Sequence, residues 1–199
     1  MQLSRDTLNR FFDDLLTPTA FADYGPNGLQ IEGAGMLRRI AFAVSATAAS
    51  VDRAVEGQAQ ALVVHHGLFW SFHGPRPLTG PLARRVFPLV RNDLNLFAYH
   101  LPLDAHPEIG NAACLARALG MTEWLPFGDY KGSPTGVQGH LSSGISALTL
   151  KARLAEVLNH EVMLATPDPE AVIRTLGIIT GGANSCLLYT SPSPRDGLL

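Results

Sequence analysis

The sequence predicts an α/β protein of two domains with mixed or largely parallel sheets, the second domain incomplete. Three observations predict it. Short apolar strand candidates alternate with helix-period segments over the first 120 residues, the pattern of parallel strands joined by helices. Near Leu125 the texture changes to FGDYKGSPTGVQGHLSSG, rich in Gly, Ser and Pro, which suggests a boundary between a first domain at 1–125 and a partial second domain at 126–184. The 199 residues, 46% of them hydrophobic, suffice for one sizeable core or two smaller ones.

The elements follow in order. Ser4 is placed to cap a helix from Arg5 to Leu16, whose Leu8, Phe11, Phe12, Leu15 and Leu16 recur with helical period until Pro18 stops it. DYGPNGLQIEG then reads as a tight turn built on Pro26, Asn27 and Gly28. RIAFAVSA (39–46) is a strand, TAASVDRAVEGQ (47–58) a helix and ALVV (61–64) a buried strand. PLARRVFPLVRND (81–93) is helical in part, with Pro88 expected to kink or break it. LNLFAY (94–99) is the third strand, and NAACLARALG (111–120) a helix ending at Gly120. Beyond the boundary the pattern predicts a strand at 136–141, a helix at 146–158, a strand at 160–164, a short helix at 169–175 and a strand at 176–180.

Composition narrows the function classes. A net charge of -2 and a pI near 6.4, with arginines scattered along the chain, argue against nucleic acid as a partner. Every apolar run is broken well before the roughly 20 residues that span a bilayer, so no membrane partner is expected. The acidic amphipathic start is unlike a signal peptide, and Cys114 and Cys186 suggest neither a disulfide framework nor a zinc knuckle, which makes the cytoplasm the expected compartment.

The chemistry concentrates at two strand ends. In an open α/β sheet, ligands gather at the carboxyl ends of strands, and His65 and His66 follow ALVV while His100 and Asp104 follow LNLFAY. A helix between those strands would make them neighbours. Three imidazoles and a carboxylate suit zinc, manganese, iron or nickel, and a carboxylate can bridge two ions. Successive residues of a strand face opposite ways, but where the strand ends the backbone turns, and Gly67 would permit two adjacent histidines to face one pocket.

The remaining motifs favour structural roles. His73, His106, His140 and His160 read as ordinary hydrogen-bonded histidines, Cys114 as a small buried packing residue inside a helix, and Trp70 and Phe72 as packing residues. Gly181 and Gly182 follow a strand without a GxGxxG or GK[ST] pattern, and Ser142, Ser143 and Ser146 lie in no GxSxG elbow.

Taken together, YGPNGLQIEG, VVHHGLFW, YHLPLDAHPEIGNAACLARALG and LGIITGGA resemble, in order and spacing, the NIF-three family of dinuclear metal centre proteins, also known as GTP cyclohydrolase I type 2 homologues. The resemblance covers residues 1 to about 184. It implies two α/β domains per subunit, a hexameric ring and two divalent metal ions per intact subunit. It makes His65, His66 and Asp104 metal ligands, with Asp104 as the bridge. His100 becomes a ligand or a supporting group able to shuttle protons as the catalytic residue, and the GPNGLQ turn lies near the site without binding metal.

One departure stands out. The family completes its site with a His and a Glu four apart near the C-terminus, and no His follows His160 and no Glu follows Glu170 here. In their place SCLLYTSPSPRDGLL (185–199) is polar and rich in Ser and Pro, and resembles adaptor read-through at the end of a truncated gene model. Such a chain is expected to bind metal weakly and to be poorly soluble. For the intact parent the resemblance implies a metal-dependent hydrolase of a small cytoplasmic molecule, with a nucleotide such as GTP as the candidate substrate, acting as a homo-oligomer. A non-catalytic metal-binding ring scaffold or metal-handling protein, and an inactive fragment for the chain as written, are the alternatives.

Overall fold

The computed structural model describes residues 2–181, so the SCLLYTSPSPRDGLL tail, Gly182 and Cys186 lie outside the described residues. The chain divides into two compact units between Leu103 and Asp104.

The first unit runs through β1 (Leu3–Ser4), α1 (Arg5–Leu16), β2 (Gly28–Ile31), β3 (Met36–Leu37), β4 (Ile40–Ser45), α2 (Ala48–Glu56), β5 (Ala61–His66), α3 (Gly80–Arg91) and β6 (Asn95–Ala98). Its main sheet has the order β2-β6-β5-β4, with β4, β5 and β6 parallel and β2 antiparallel to β6. The parallel core is the one the apolar runs predict, because central strands covered on both faces need apolar residues at nearly every position. Leu62, Val64, Leu96 and Ala98 pack with Val51, Ala54, Val86 and Leu89 of α2 and α3. On the opposite face Ala61, Val63, Phe97 and Tyr99 pack with Leu8, Phe12 and Leu16 of α1.

Two local features depart from expectation. The Gly28–Ile31 stretch, read as part of a turn, forms β2, since Leu29 pairs with Phe97 and the turn itself is confined to the residues before it. Pro88 does not end α3 early: the helix runs on to Arg91, held across the missing N–H by its buried stripe of Leu82, Val86 and Leu89.

A short helix, α4 (Leu101–Asp104), carries the chain to the second unit. That unit contains α5 (Asn111–Ala118), β7 (Met121–Tyr130), β8 (Ser133–Ser146), α6 (Ala147–Leu158) and β9 (Val172–Ile179), with the three strands antiparallel in the order β7-β8-β9. Its core joins Ala112, Ala113, Ala116 and Leu119 to Met121, Val137, Leu141, Ile145 and Ile178.

The glycine-rich stretch that suggests a boundary near 125–135 is the β7–β8 hairpin. Tyr130 pairs with Ser133 across Lys131 and Gly132, whose φ of 52° and 85° give the twist of a two-residue hairpin turn. Gly139 sits where β8 runs so close to β7 that a Cβ would overlap the Glu123 carbonyl. Residues 160–164 form no strand, and the helix expected at 169–175 gives way to β9, where Val172, Ile173 and Thr175 favour an extended backbone paired to β8. Among the described residues, no helix is long and apolar enough to cross a membrane.

Candidate metal centre

The pairing of β5 with its neighbours places the histidines. Strands β5 and β6 run in parallel with Val64 opposite Ala98, and the Tyr99 N–H still donates to the Val64 carbonyl at 3.0 Å. One residue further, β6 has ended and His100 begins the turn into α4, while on the other side β5 stays paired with β4 through His66 and Ser45. His65, His66 and His100 therefore meet at the carboxyl end of adjacent parallel strands. The His65 and His66 rings lie 4.5 Å apart and the His65 and His100 rings 4.9 Å apart. Each of the three offers a nitrogen within 4.8 Å of the others.

A hydrogen-bond network orients these rings. Nδ1 of His100 lies 2.8 Å from Oδ1 of Asp23, a side chain only 2% exposed. Oδ2 of Asp23 accepts from the Leu101 N–H at 2.9 Å and from Nδ2 of Asn27 at 3.0 Å, and the Tyr24 N–H reaches Oδ1 at 2.6 Å. Burial pushes the Asp23 pKa up, but the bonds from His100, Asn27, Leu101 and Tyr24 outweigh it and bring the pKa down to about 2. An ionised Asp23 takes the Nδ1–H of His100, which leaves the lone pair on Nε2. His66 is held by its own Nδ1, 2.8 Å from the Ser45 hydroxyl.

The GPNGLQ turn fixes the frame around these groups. Oδ1 of Asn27 accepts the His100 N–H at 2.8 Å, and Oε1 of Gln30 accepts the Leu68 N–H at 2.9 Å. A Cβ at Gly67 would overlap the Gln30 amide, so this glycine answers to close approach, since its φ lies outside the left-handed region. At Gly25 a Cβ would overlap the Phe69 carbonyl, which ties the turn to the loop after β5. Asp23 and Ser45 carry no sequence signal as supporting residues; a lone Asp before a turn and a Ser at a strand end are both common.

Asp104, the remaining ligand candidate, is the first residue of the second unit and is 3% exposed. Its Oδ1 accepts from Nδ2 of Asn111 at 2.7 Å and from the Thr180 hydroxyl at 3.4 Å. The other histidines have local roles. Nδ1 of His106 accepts the Glu108 and Ile109 N–H groups, His140 meets the Thr175 hydroxyl, His160 meets the Glu161 carbonyl, and His73 lies edge-on to Phe72. Ser146 caps α6 through the Thr149 N–H. Two packing assignments are corrected: Cys114 is exposed because it falls on the outer face of α5, and Phe72 is 67% exposed in a loop that no core covers.

The donor set fits a divalent metal ion. Imidazole nitrogens on three converging side chains, two with the second nitrogen engaged, match the way metal-binding histidines are held. Among the described residues, this is the one group of three or more His, Cys, Asp or Glu side chains so arranged.

Known proteins share this architecture. The family described as Duf34/NIF3 (NGG1p interacting factor 3) matches residues 3–191. A Deinococcus radiodurans protein named GTP cyclohydrolase 1 type 2 homolog is 38% identical over 198 residues, covering 100% of this chain and 74% of the relative. The Vibrio cholerae protein of the same name is 41% identical over 195 residues, covering 96% and 76%. The solved structure of protein ybgI is similar with a TM-score of 0.84 and 35% identity, over 93% of this chain and 72% of its own. That of TTHA1606 from Thermus thermophilus gives 0.83 and 30%, over 97% and 80%.

Proposed function

Because the chain belongs to the Duf34/NIF3 family, we propose that it holds divalent metal at His65 and His66, with His100 beside them as the proton-accepting group, and, so loaded, hydrolyses a small molecule. The observation that carries this reading is the convergence of three imidazole nitrogens within 4.8 Å at one sheet end, with Asp23 fixing the tautomer of His100. A divalent ion there supplies Lewis acidity, which makes water a usable nucleophile near neutral pH.

The chain's own groups have separable roles. His65 and His66 come from consecutive positions of a buried strand, so their rings are set by the sheet and suit fixed ligation. His100 stands on a turn with its Nε2 lone pair available and a buried, ionised carboxylate behind Nδ1. That arrangement can accept a proton from water at Nε2, because Asp23 stabilises the imidazolium that forms. The names of these relatives make GTP the first substrate to try.

Metal content of the purified chain and of His65→Ala and His66→Ala tests the ligation, with either variant expected to lose most of it. Product release from GTP and a panel of nucleotides and phosphoesters tests the hydrolysis, with His100→Ala expected to slow turnover about 100-fold or more. Metal retained with no product from any compound would assign the site to metal holding alone.

A further inference from the structure

Beside the histidines stands a row of aromatic rings, two of them exposed. Trp70 lies edge-on to His100, with centroids 5.0 Å apart and planes at 88°, and its indole N–H donates to the Gly67 carbonyl at 3.1 Å. Phe72 lies nearly parallel to Trp70, 5.7 Å away at 20°. Tyr24 is 6.4 Å from both Phe72 and His100, and its carbonyl accepts the Ser71 N–H at 2.6 Å, which fastens the two loops together. The cleft between these loops has a volume of about 420 Å³ and is bounded by Asp23, Tyr24, Pro26, Phe69 and Trp70.

We propose that Tyr24, Trp70 and Phe72 form a stacking subsite that holds a planar nitrogen heterocycle against the histidine cluster. Phe72 at 67% and Tyr24 at 39% exposure keep large apolar rings in water, where they add little to the stability of the fold. Rings held rigidly beside a polar site instead offer a flat π surface, and a heterocyclic base gains by stacking on it whatever its sequence of ring atoms. The cleft offers aromatic faces and, among the described residues, no Lys or Arg in its lining, which suits a flat ring better than a phosphate. The inference rests on the metal-centre reading for its location, since the heterocycle is placed next to His66 and His100 by the position of Trp70.

The test uses Trp70 as its own reporter. The chain has two tryptophans, so Trp124→Phe leaves Trp70 alone. Its fluorescence is followed as guanosine monophosphate is added, with ribose 5-phosphate as the ring-free probe and metal content measured on the same samples. Saturable quenching by the nucleotide only, weakened about fivefold or more by Phe72→Ala at unchanged metal content, is the expected result. Equal binding of ribose 5-phosphate, or Phe72→Ala binding as tightly as its parent, overturns the subsite. Metal bound with no quenching sinks the subsite and leaves the metal centre. Phe72-dependent quenching in a chain that holds no metal does the reverse.

Discussion

Two buried aspartates, one in each unit, are held in different ways. Asp23 spends both carboxylate oxygens on a fixed set of donors, two of them backbone N–H groups and one the ring of His100. Asp104 accepts at Oδ1 from two neutral side chains, Asn111 and Thr180. Backbone donors cannot rotate away, so the Asp23 carboxylate is locked and its negative charge is aimed at one imidazole. Side-chain donors such as Asn111 and Thr180 can swing, so these two bonds fix the Asp104 carboxylate less tightly than backbone donors would. The difference teaches that burial by itself does not define a role; the kind of donor does.

The sharpest way to break this comparison is Asp23→Ala. It strands two backbone N–H groups and the Nδ1–H of His100, so the loss of stability should reach about 3 kcal/mol or more in urea unfolding. Asp104→Ala should cost about 1–3 kcal/mol, since flexible partners can turn to other acceptors. Equal losses would erase the distinction. A pH series on the metal-free chain sharpens it. The pKa of Asp23 falls from 3.8 to about 2 on folding, so its contribution is present above the unfolded value and is lost as pH falls through 2. The gap between wild type and Asp23→Asn should therefore narrow from pH 4 downward.

What could be read without the structure follows the same line. His65, His66 and His100 were legible because parallel strands declare themselves as unbroken apolar runs, and the ends of such runs are where ligands gather. Asp23 was not, because nothing local marks a residue whose partners lie 77 and 78 positions away at His100 and Leu101. The second unit was harder for a different reason. Its glycines at 132 and 139 look like a linker, yet one makes the hairpin turn and the other admits a neighbouring strand, and both needs are set by pairing partners distant in sequence or by backbone twist. Val172–Ile179 read as helix then strand because eight residues carry too few periods to decide, and pairing with β8 decides instead.

Ser45→Ala probes the weaker of the two ring supports. The hydroxyl lies 2.8 Å from Nδ1 of His66, and its removal takes away one support of the ring but strands no buried charge. Metal affinity should fall about tenfold, the low end of what a supporting partner contributes, whereas Asp23→Asn should cost nearer 100-fold. Isothermal titration with zinc on both variants would show the order, and a larger loss at Ser45 than at Asp23 would overturn the ranking.

The smallest effect is expected at Thr180→Val. Its hydroxyl reaches Oδ1 of Asp104 at 3.4 Å, a length at which a hydrogen bond contributes little, and Asn111 at 2.7 Å already satisfies the same oxygen. Valine keeps the volume and the β-branch that suit a residue just beyond β9, so the unfolding midpoint should move by less than about 1 kcal/mol equivalent. A larger loss would mean that Asp104 depends on Thr180 as Asp23 depends on its backbone donors. The Asn111 and Thr180 bonds would then hold their carboxylate as firmly as the backbone donors hold Asp23, and the contrast between the two kinds of donor would lose its force.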